Sequence, residues 1–179
     1  EQRHLVDRHG TQNLPAGQPR IVRMPSDGPR GRKRAVQTRA EITGWGKCVP
    51  PVSLSNADLE RLMDTSDEWI IERTGIRNRQ LSHVETTDLA ELAARRALAC
   101  AGMDAADLDL VVVATCTPEI LCPSVAAMVQ DRIGASNAGA FDLNAACSGF
   151  VYGTSVVAGM IESGFAERVL LVGAEKLHF

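Results

Sequence analysis

The sequence predicts an α/β protein with a mostly parallel sheet and helices on both faces. Three observations carry this. From residue 86 onward the pattern runs helix, strand, helix, strand, helix, strand. The run Leu110-Val111-Val112-Val113-Ala114-Thr115 is apolar without alternation, as in a strand covered on both faces. Each helical pattern ends on a glycine (Gly102, Gly134, Gly164), and short strands alternating with helices make a parallel sheet.

In chain order, residues 1–40 read as a disordered basic tail. They hold Pro15, Pro19, Pro25, Pro29 and the run Arg30-Gly31-Arg32-Lys33-Arg34, with no apolar periodicity. The globular domain is expected over residues 41–179. A first strand is predicted over 41–49, stopped by Pro50-Pro51. Ser55 caps a helix over 56–63, with Asp58 placed to close a capping box. Thr65-Ser66 caps a second helix over 67–73, closed by Gly75, and residues 76–81 are extended. Thr86-Thr87 opens an amphipathic helix whose stripe is Leu89, Leu92, Ala93 and Ala97.

The 110–115 strand follows. Pro123 suits the first turn of the next helix, which runs to about Ile133. A strand over 138–143 leads to a turn at Cys147 and a helix over 149–163. Glu162 is the only charge in that helix, so it is expected to be sandwiched rather than to lie on the surface. A last strand spans 168–173. The chain starts at Glu1 and stops directly after that strand, and we expect it to be a piece of a longer protein.

Composition bounds the function. Of 179 residues, 45% are hydrophobic and 23% charged, as in a globular protein. The net charge of −3 is unevenly placed: residues 1–40 carry nine Lys/Arg against three Asp/Glu, leaving ten against nineteen in the rest. An acidic body argues against nucleic acid as the main partner. No apolar run is long enough to span a bilayer, and no signal-peptide pattern occurs. The five cysteines, Cys48, Cys100, Cys116, Cys122 and Cys147, are widely spaced with no C-x-x-C and no His at ligand spacing. A disulfide scaffold and a zinc site are both poor readings, and a reducing cytoplasm is expected.

Three stretches can carry chemistry. In N-A-A-C-S-G-F-V-Y-G, Cys147 sits among small residues between a strand and an apolar helix. Unpaired N–H groups and the helix dipole at such a junction favour thiolate, and a thiolate there could take an acyl group from a thioester. The alternative is an inert packing cysteine. In D-T-S-D-E-W-I-I-E-R-T-G-I-R, Trp69 and Arg73 are four apart and share a helical face. A flat ring and a guanidinium suit a nucleotide, one stacking on the base and the other pairing with phosphate. The alternative is a core Trp with an Arg lying over it. In C-T-P-E-I-L-C-P-S, residues 116–124 leave the C-terminal end of a strand, where α/β proteins bind ligands; an ordinary connection explains them equally well.

These stretches, with V-V-V-A-T-C-T-P (111–118), P-S-V-A-A-M-V-Q (123–130) and F-D-L-N-A-A-C-S-G-F-V-Y (141–152), come in the order and spacing of β-ketoacyl-acyl-carrier-protein synthase III. The resemblance covers about residues 41–179. It implies a thiolase-like fold of helix–sheet–helix–sheet–helix layers, of which this chain supplies the N-terminal α/β half, usually as a homodimer. It implies a condensation of an acyl-CoA primer with malonyl-acyl-carrier protein through an acyl-Cys intermediate, starting fatty acid synthesis without a separate cofactor or metal. By position, Cys147 looks like the acyl-accepting nucleophile. Trp69 and Arg73, with Thr65 nearby, look like the residues that hold the nucleotide end of coenzyme A. Cys122 falls where the family places a gate to the partner subunit's acyl pocket, and a small side chain there implies a roomier pocket. The family's His and Asn and the Gly-rich segment of its oxyanion hole belong to the second half, so the fragment alone is expected to be inactive. Related condensing enzymes of polyketide or quinolone type, and a non-catalytic thiolase-like binding module, are the alternatives.

Overall fold

The computed structural model describes residues 40–177. The basic tail expected over residues 1–40 lies almost wholly outside them. A three-stranded parallel sheet forms the centre: β3 (Leu110–Ala114) lies between β4 (Gly139–Leu143) and β5 (Val169–Gly173). All five residues of β3 are buried, as its unbroken apolar pattern requires.

Side chains of the central strand alternate between two cores. Val111 and Val113, with Leu170 and Val172, face α3 (Thr86–Ala101) and α4 (Val125–Ile133), meeting Ala90, Ala94, Leu98, Val125 and Val129. Leu110 and Val112 face α5 (Gly149–Glu162) on the other side and meet Val157. Helices thus cover both faces, and the fold is one α/β half of the thiolase-like arrangement.

Ahead of the sheet stands a smaller unit. β1 (Val52–Ser55) pairs antiparallel with β2 (Asn78–Leu81), and between them lie α1 (Asn56–Glu60) and α2 (Asp67–Thr74). Ser55 closes the expected capping box with Asp58. Ser66 caps α2 by accepting from the Trp69 N–H at 3.1 Å, and Gly75 ends it with φ of 71°.

Several expectations are corrected. Residues 41–49 form no strand; they run alongside α3, where the Arg96 guanidinium donates to Lys47 O at 2.6 Å. β1 was not foreseen, because Pro50 and Pro51 mask the four-residue pairing that follows them. α1 stops at Glu60 rather than Met63. The buried side of α3 is Thr86, Thr87, Leu89, Ala90, Ala94 and Leu98, and Leu92 points outward. Small residues make that face, so a reading weighted toward Leu misplaces it. Pro123 stands outside α4, before its cap Ser124, and follows a cis bond from Cys122. Finally, α5 is not enclosed: Phe150, Val151 and Tyr152 are 54, 65 and 58% exposed. The described residues lay one sheet against this helix, so only the stripe through Gly149, Gly153 and Val157 is buried.

Candidate active site

Because β3, β4 and β5 run parallel, their C-terminal ends open on one edge. Cys116 follows β3, Cys147 follows β4 and Glu175 follows β5. Loops at that edge are where a parallel sheet exposes side chains to a ligand.

Cys147 lies in a 3-10 turn, Ala146–Ser148, that runs straight into α5. Among the described residues Cys147 is exposed rather than packed. The residue before it, Ala146, has φ of 46°, left-handed backbone that costs a non-glycine residue about 1–2 kcal/mol. The turn is closed by Ser148 N–H donating to Ala145 O at 3.0 Å, and Ala146 N–H donates to Asn144 Oδ1 at 3.4 Å. The helix that follows must start close to the sheet. A Cβ at Gly149 would come within 3.2 Å of the Ala114 Cβ. A strained turn that presents one side chain at the head of a helix has the mechanics of a nucleophile elbow.

Glu175 organises the adjoining loop. Its carboxylate accepts from Cys116 N–H at 2.8 Å and from Thr117 Oγ1 at 2.7 Å, and lies 3.4 Å from the Cys116 thiol. Thr117 Oγ1 in turn accepts from Lys176 N–H at 2.9 Å. The hydrogen bond to Glu175, with lesser effects of burial and of neighbouring negative charge, pushes the Cys116 thiol above its ordinary pKa. Cys116 therefore forms thiolate less readily than an ordinary cysteine. Sequence reading passed over Glu175. The available signal was its position two residues past a strand of the parallel sheet.

Trp69 and Arg73 lie on α2. The Arg73 guanidinium sits over the Trp69 ring, 5.6 Å from its centroid, a cation–π geometry. Arg73 thus lies over the ring as the alternative reading had it, but Trp69 is 55% exposed among the described residues and not a core side chain there. The ring edge and the cation are both open to solvent and could take a base and a phosphate. Thr65 is half-buried, just ahead of the cap Ser66, and Cys122 is exposed in the loop between β3 and α4. No hydrogen bond or ion pair among the described residues joins Thr65, Trp69 or Arg73 to Cys122 or Cys147. Two groups result, a nucleotide-sized face on α2 and a thiol at the sheet edge. Among the described residues no cluster of His, Cys, Asp or Glu could hold a metal ion, and no helix is long and apolar enough to cross a membrane.

Comparison with known proteins bears on these groups. Residues 141–178, which contain Cys147 and α5, match the family model described as 3-oxoacyl-[acyl-carrier-protein] synthase III. The chain is 58% identical over 140 residues to beta-ketoacyl-[acyl-carrier-protein] synthase III 2 of Vibrio vulnificus, covering 78% of the chain and 39% of that protein. It is 52% identical over 140 residues to the synthase III of Geobacillus kaustophilus, covering 77% and 45%. Among solved structures, the 3-oxoacyl-[acyl-carrier-protein] synthase III of Aquifex aeolicus superposes with a TM-score of 0.74 at 45% identity, covering 76% of this chain and 44% of that one. The priming β-ketosynthase of the R1128 polyketide pathway superposes with a TM-score of 0.73 at 39% identity, covering 76% and 41%. The chain thus spans about two fifths of the length of the relatives it matches.

Proposed function

Starting from a chain that matches β-ketoacyl-[acyl-carrier-protein] synthase III in sequence and fold over about two fifths of that family's length, we propose that it forms the acyl-accepting half of such a synthase. In this reading Cys147 attacks the thioester of an acyl-CoA primer. The acyl–Cys147 bond forms as the bond to coenzyme A sulfur breaks, and an N–H at the start of α5 helps hold the oxyanion. The acyl group then passes to the carbanion left by decarboxylation of malonyl-acyl-carrier protein. The observation that carries the reading is the exposed Cys147 on a strained turn, inside the segment that matches the family model.

Thr65, Trp69 and Arg73 bind the nucleotide end of coenzyme A, and Cys122 borders the acyl pocket of the partner protomer in a homodimer. The partners are acyl-CoA and malonyl-acyl-carrier protein. The step needs no cofactor, since thioester chemistry supplies the leaving group and loss of carbon dioxide supplies the carbanion. The setting is cytoplasmic, a reading supported by five free cysteines. Similarity to the priming ketosynthase supports a second reading, in which the same acyl-Cys chemistry starts a polyketide.

The test is acylation of the full protein that carries this chain. Incubation with acetyl-CoA should add one acetyl mass to the peptide containing Cys147, and Cys147→Ser should abolish it. An adduct that survives the substitution, or none on folded protein, rejects the proposal. Turnover with acyl-CoA primers of increasing length separates the fatty acid and polyketide readings.

A further inference from the structure

The exposed Trp69 and Arg73 can meet a rigid nucleotide only if α2 is held in one pose. The helix has eight residues and buries one of them, Ile70. So little apolar contact leaves its pose to polar ties.

The Asp67 N–H donates to Glu60 Oε1 at 2.6 Å, tying the start of α2 to α1, and the ties that reach both ends of the helix converge on one side chain. Asn56, the first residue of α1, is 1% exposed. Its Nδ2 donates to Asp67 Oδ1 at 2.7 Å and to Ile76 O at 2.9 Å. Asp67 is the first residue of α2, and Ile76 follows Gly75, which ends the helix. A single amide therefore grips both ends of the helix that carries Trp69 and Arg73. The amide oxygen is also used, accepting from the Arg79 guanidinium on β2, and the Asn56 N–H donates to Arg77 O at 3.2 Å.

Only an amide of this length meets all three demands. Aspartate would keep the acceptor but offer no donor, and would set a second carboxylate beside Asp67. Alanine would leave Ile76 O, Asp67 and Arg79 without their partner. A buried amide with both ends satisfied by three other segments fixes geometry more than it adds stability.

We propose that Asn56 is a positioning residue for coenzyme A: it sets α2 so that Trp69 and Arg73 face the nucleotide together. This rests on the reading of Trp69 and Arg73 as the nucleotide-binding pair. Asn56 is 1% exposed and its amide is spent on protein groups, so its effect should fall on coenzyme A recognition through α2 and not on the chemistry of Cys147.

The test compares two acyl donors in the full protein. Acetyl-CoA carries the nucleotide; the acetyl thioester of N-acetylcysteamine does not. Asn56→Ala should weaken coenzyme A binding about ten-fold, as expected for losing buried hydrogen bonds to partly charged groups. Acylation of Cys147 by the short thioester should stay within two-fold of the parent. An equal loss with both donors would show a merely structural role, and no loss with either would show none; each outcome overturns the proposal. Trp69→Ala and Arg73→Ala serve as controls. If they leave coenzyme A affinity unchanged, the nucleotide reading fails and the proposal with it. If they weaken it while Asn56→Ala does not, the proposal alone fails. Should Asn56→Ala not fold, the exposed Asp67→Ala releases one end of the grip, and about three-fold weaker coenzyme A binding with normal short-thioester acylation is expected. Unchanged affinity in that variant overturns the proposal.

Discussion

The Cys116 thiol lies 3.4 Å from Oε2 of Glu175, a thiol at the end of one strand facing a carboxylate at the end of its neighbour. The carboxylate raises the Cys116 pKa, so this thiol stays protonated at pH values where an ordinary exposed thiol begins to ionise. Alkylation by iodoacetamide at about pH 8.5, followed on the peptide that carries Cys116, should be slow, because thiolate is the reacting form. Glu175→Gln removes the charge while keeping an acceptor for the Cys116 N–H, and should raise the Cys116 rate several-fold. An unchanged rate would mean that the carboxylate does not govern this thiol.

The Asp142 carboxylate on β4 accepts from Val125 N–H at 2.9 Å and from Ala126 N–H at 2.8 Å, joining the strand to the first turn of α4. Both donors belong to fully buried residues. Asp142→Ala leaves two N–H groups unsatisfied at a helix start and should cost about 2–3 kcal/mol in denaturant unfolding. Asp142→Asn keeps one acceptor and should cost roughly half of that. Equal stability of parent and Asp142→Ala would refute this account of how α4 is seated.

Acid should loosen the fold through two further carboxylates. Asp109 accepts from the N–H groups of Glu167 and Arg168, both at 2.8 Å, and these bonds hold its pKa below the ordinary value. Asp88 is lowered chiefly by the Arg132 guanidinium at 2.7 Å, and next by the Glu85 N–H. A carboxylate with a depressed folded-state pKa binds its proton first in the unfolded chain. Its contribution is therefore complete above the unfolded value of about 3.9 and is lost as pH falls through the folded one. Thermal midpoints should be flat from about pH 7 to pH 5 and fall below about pH 4. Asp109→Asn should lower the midpoint at neutral pH and close that gap in acid. A gap that persists at about pH 2 would assign the loss to packing instead of charge.

Much of the body was legible because burial writes itself into periodicity. The run 110–115, the small-residue turn at 144–149 and the glycine stops at 102, 134 and 164 each have a local physical cause, and each lies where expected. Trp69 and Arg73 were legible as a pair because four residues bring two side chains onto one helical face. Long-range polar ties leave no such imprint. The separation between Cys116 and Glu175 is 59 residues, and between Asn56 and Ile76 it is 20. Nothing in spacing reveals those contacts before the sheet and the small unit are assembled. The exposure of α5 was misjudged for a related reason: apolarity states that a face can be buried, not which layer covers it.

The stretch 41–49 offered a strand by composition, yet it lies on α3 without joining a sheet, and its glycines explain the approach. A Cβ at Gly46 would collide with Ala93 O and stand 2.5 Å from Ala97 N. At Gly44 it would stand 2.6 Å from both Ala101 N and Ala97 O. These neighbours are helix backbone and cannot swing aside, so the segment must lift away to accept a methyl group. Gly46→Ala should destabilise the protein by about 1–3 kcal/mol, the usual cost of overpacking a close contact. The loss should be local. Lifting the segment also breaks the hydrogen bond from Arg96 to Lys47 O, so amides 41–49 should exchange with solvent faster while β3 keeps its protection. Arg96→Ala should speed the same amides to a smaller extent. Faster exchange throughout β3 would mean that the segment is part of the sheet core, and unchanged exchange over 41–49 would mean that the glycines do not set its contact with α3.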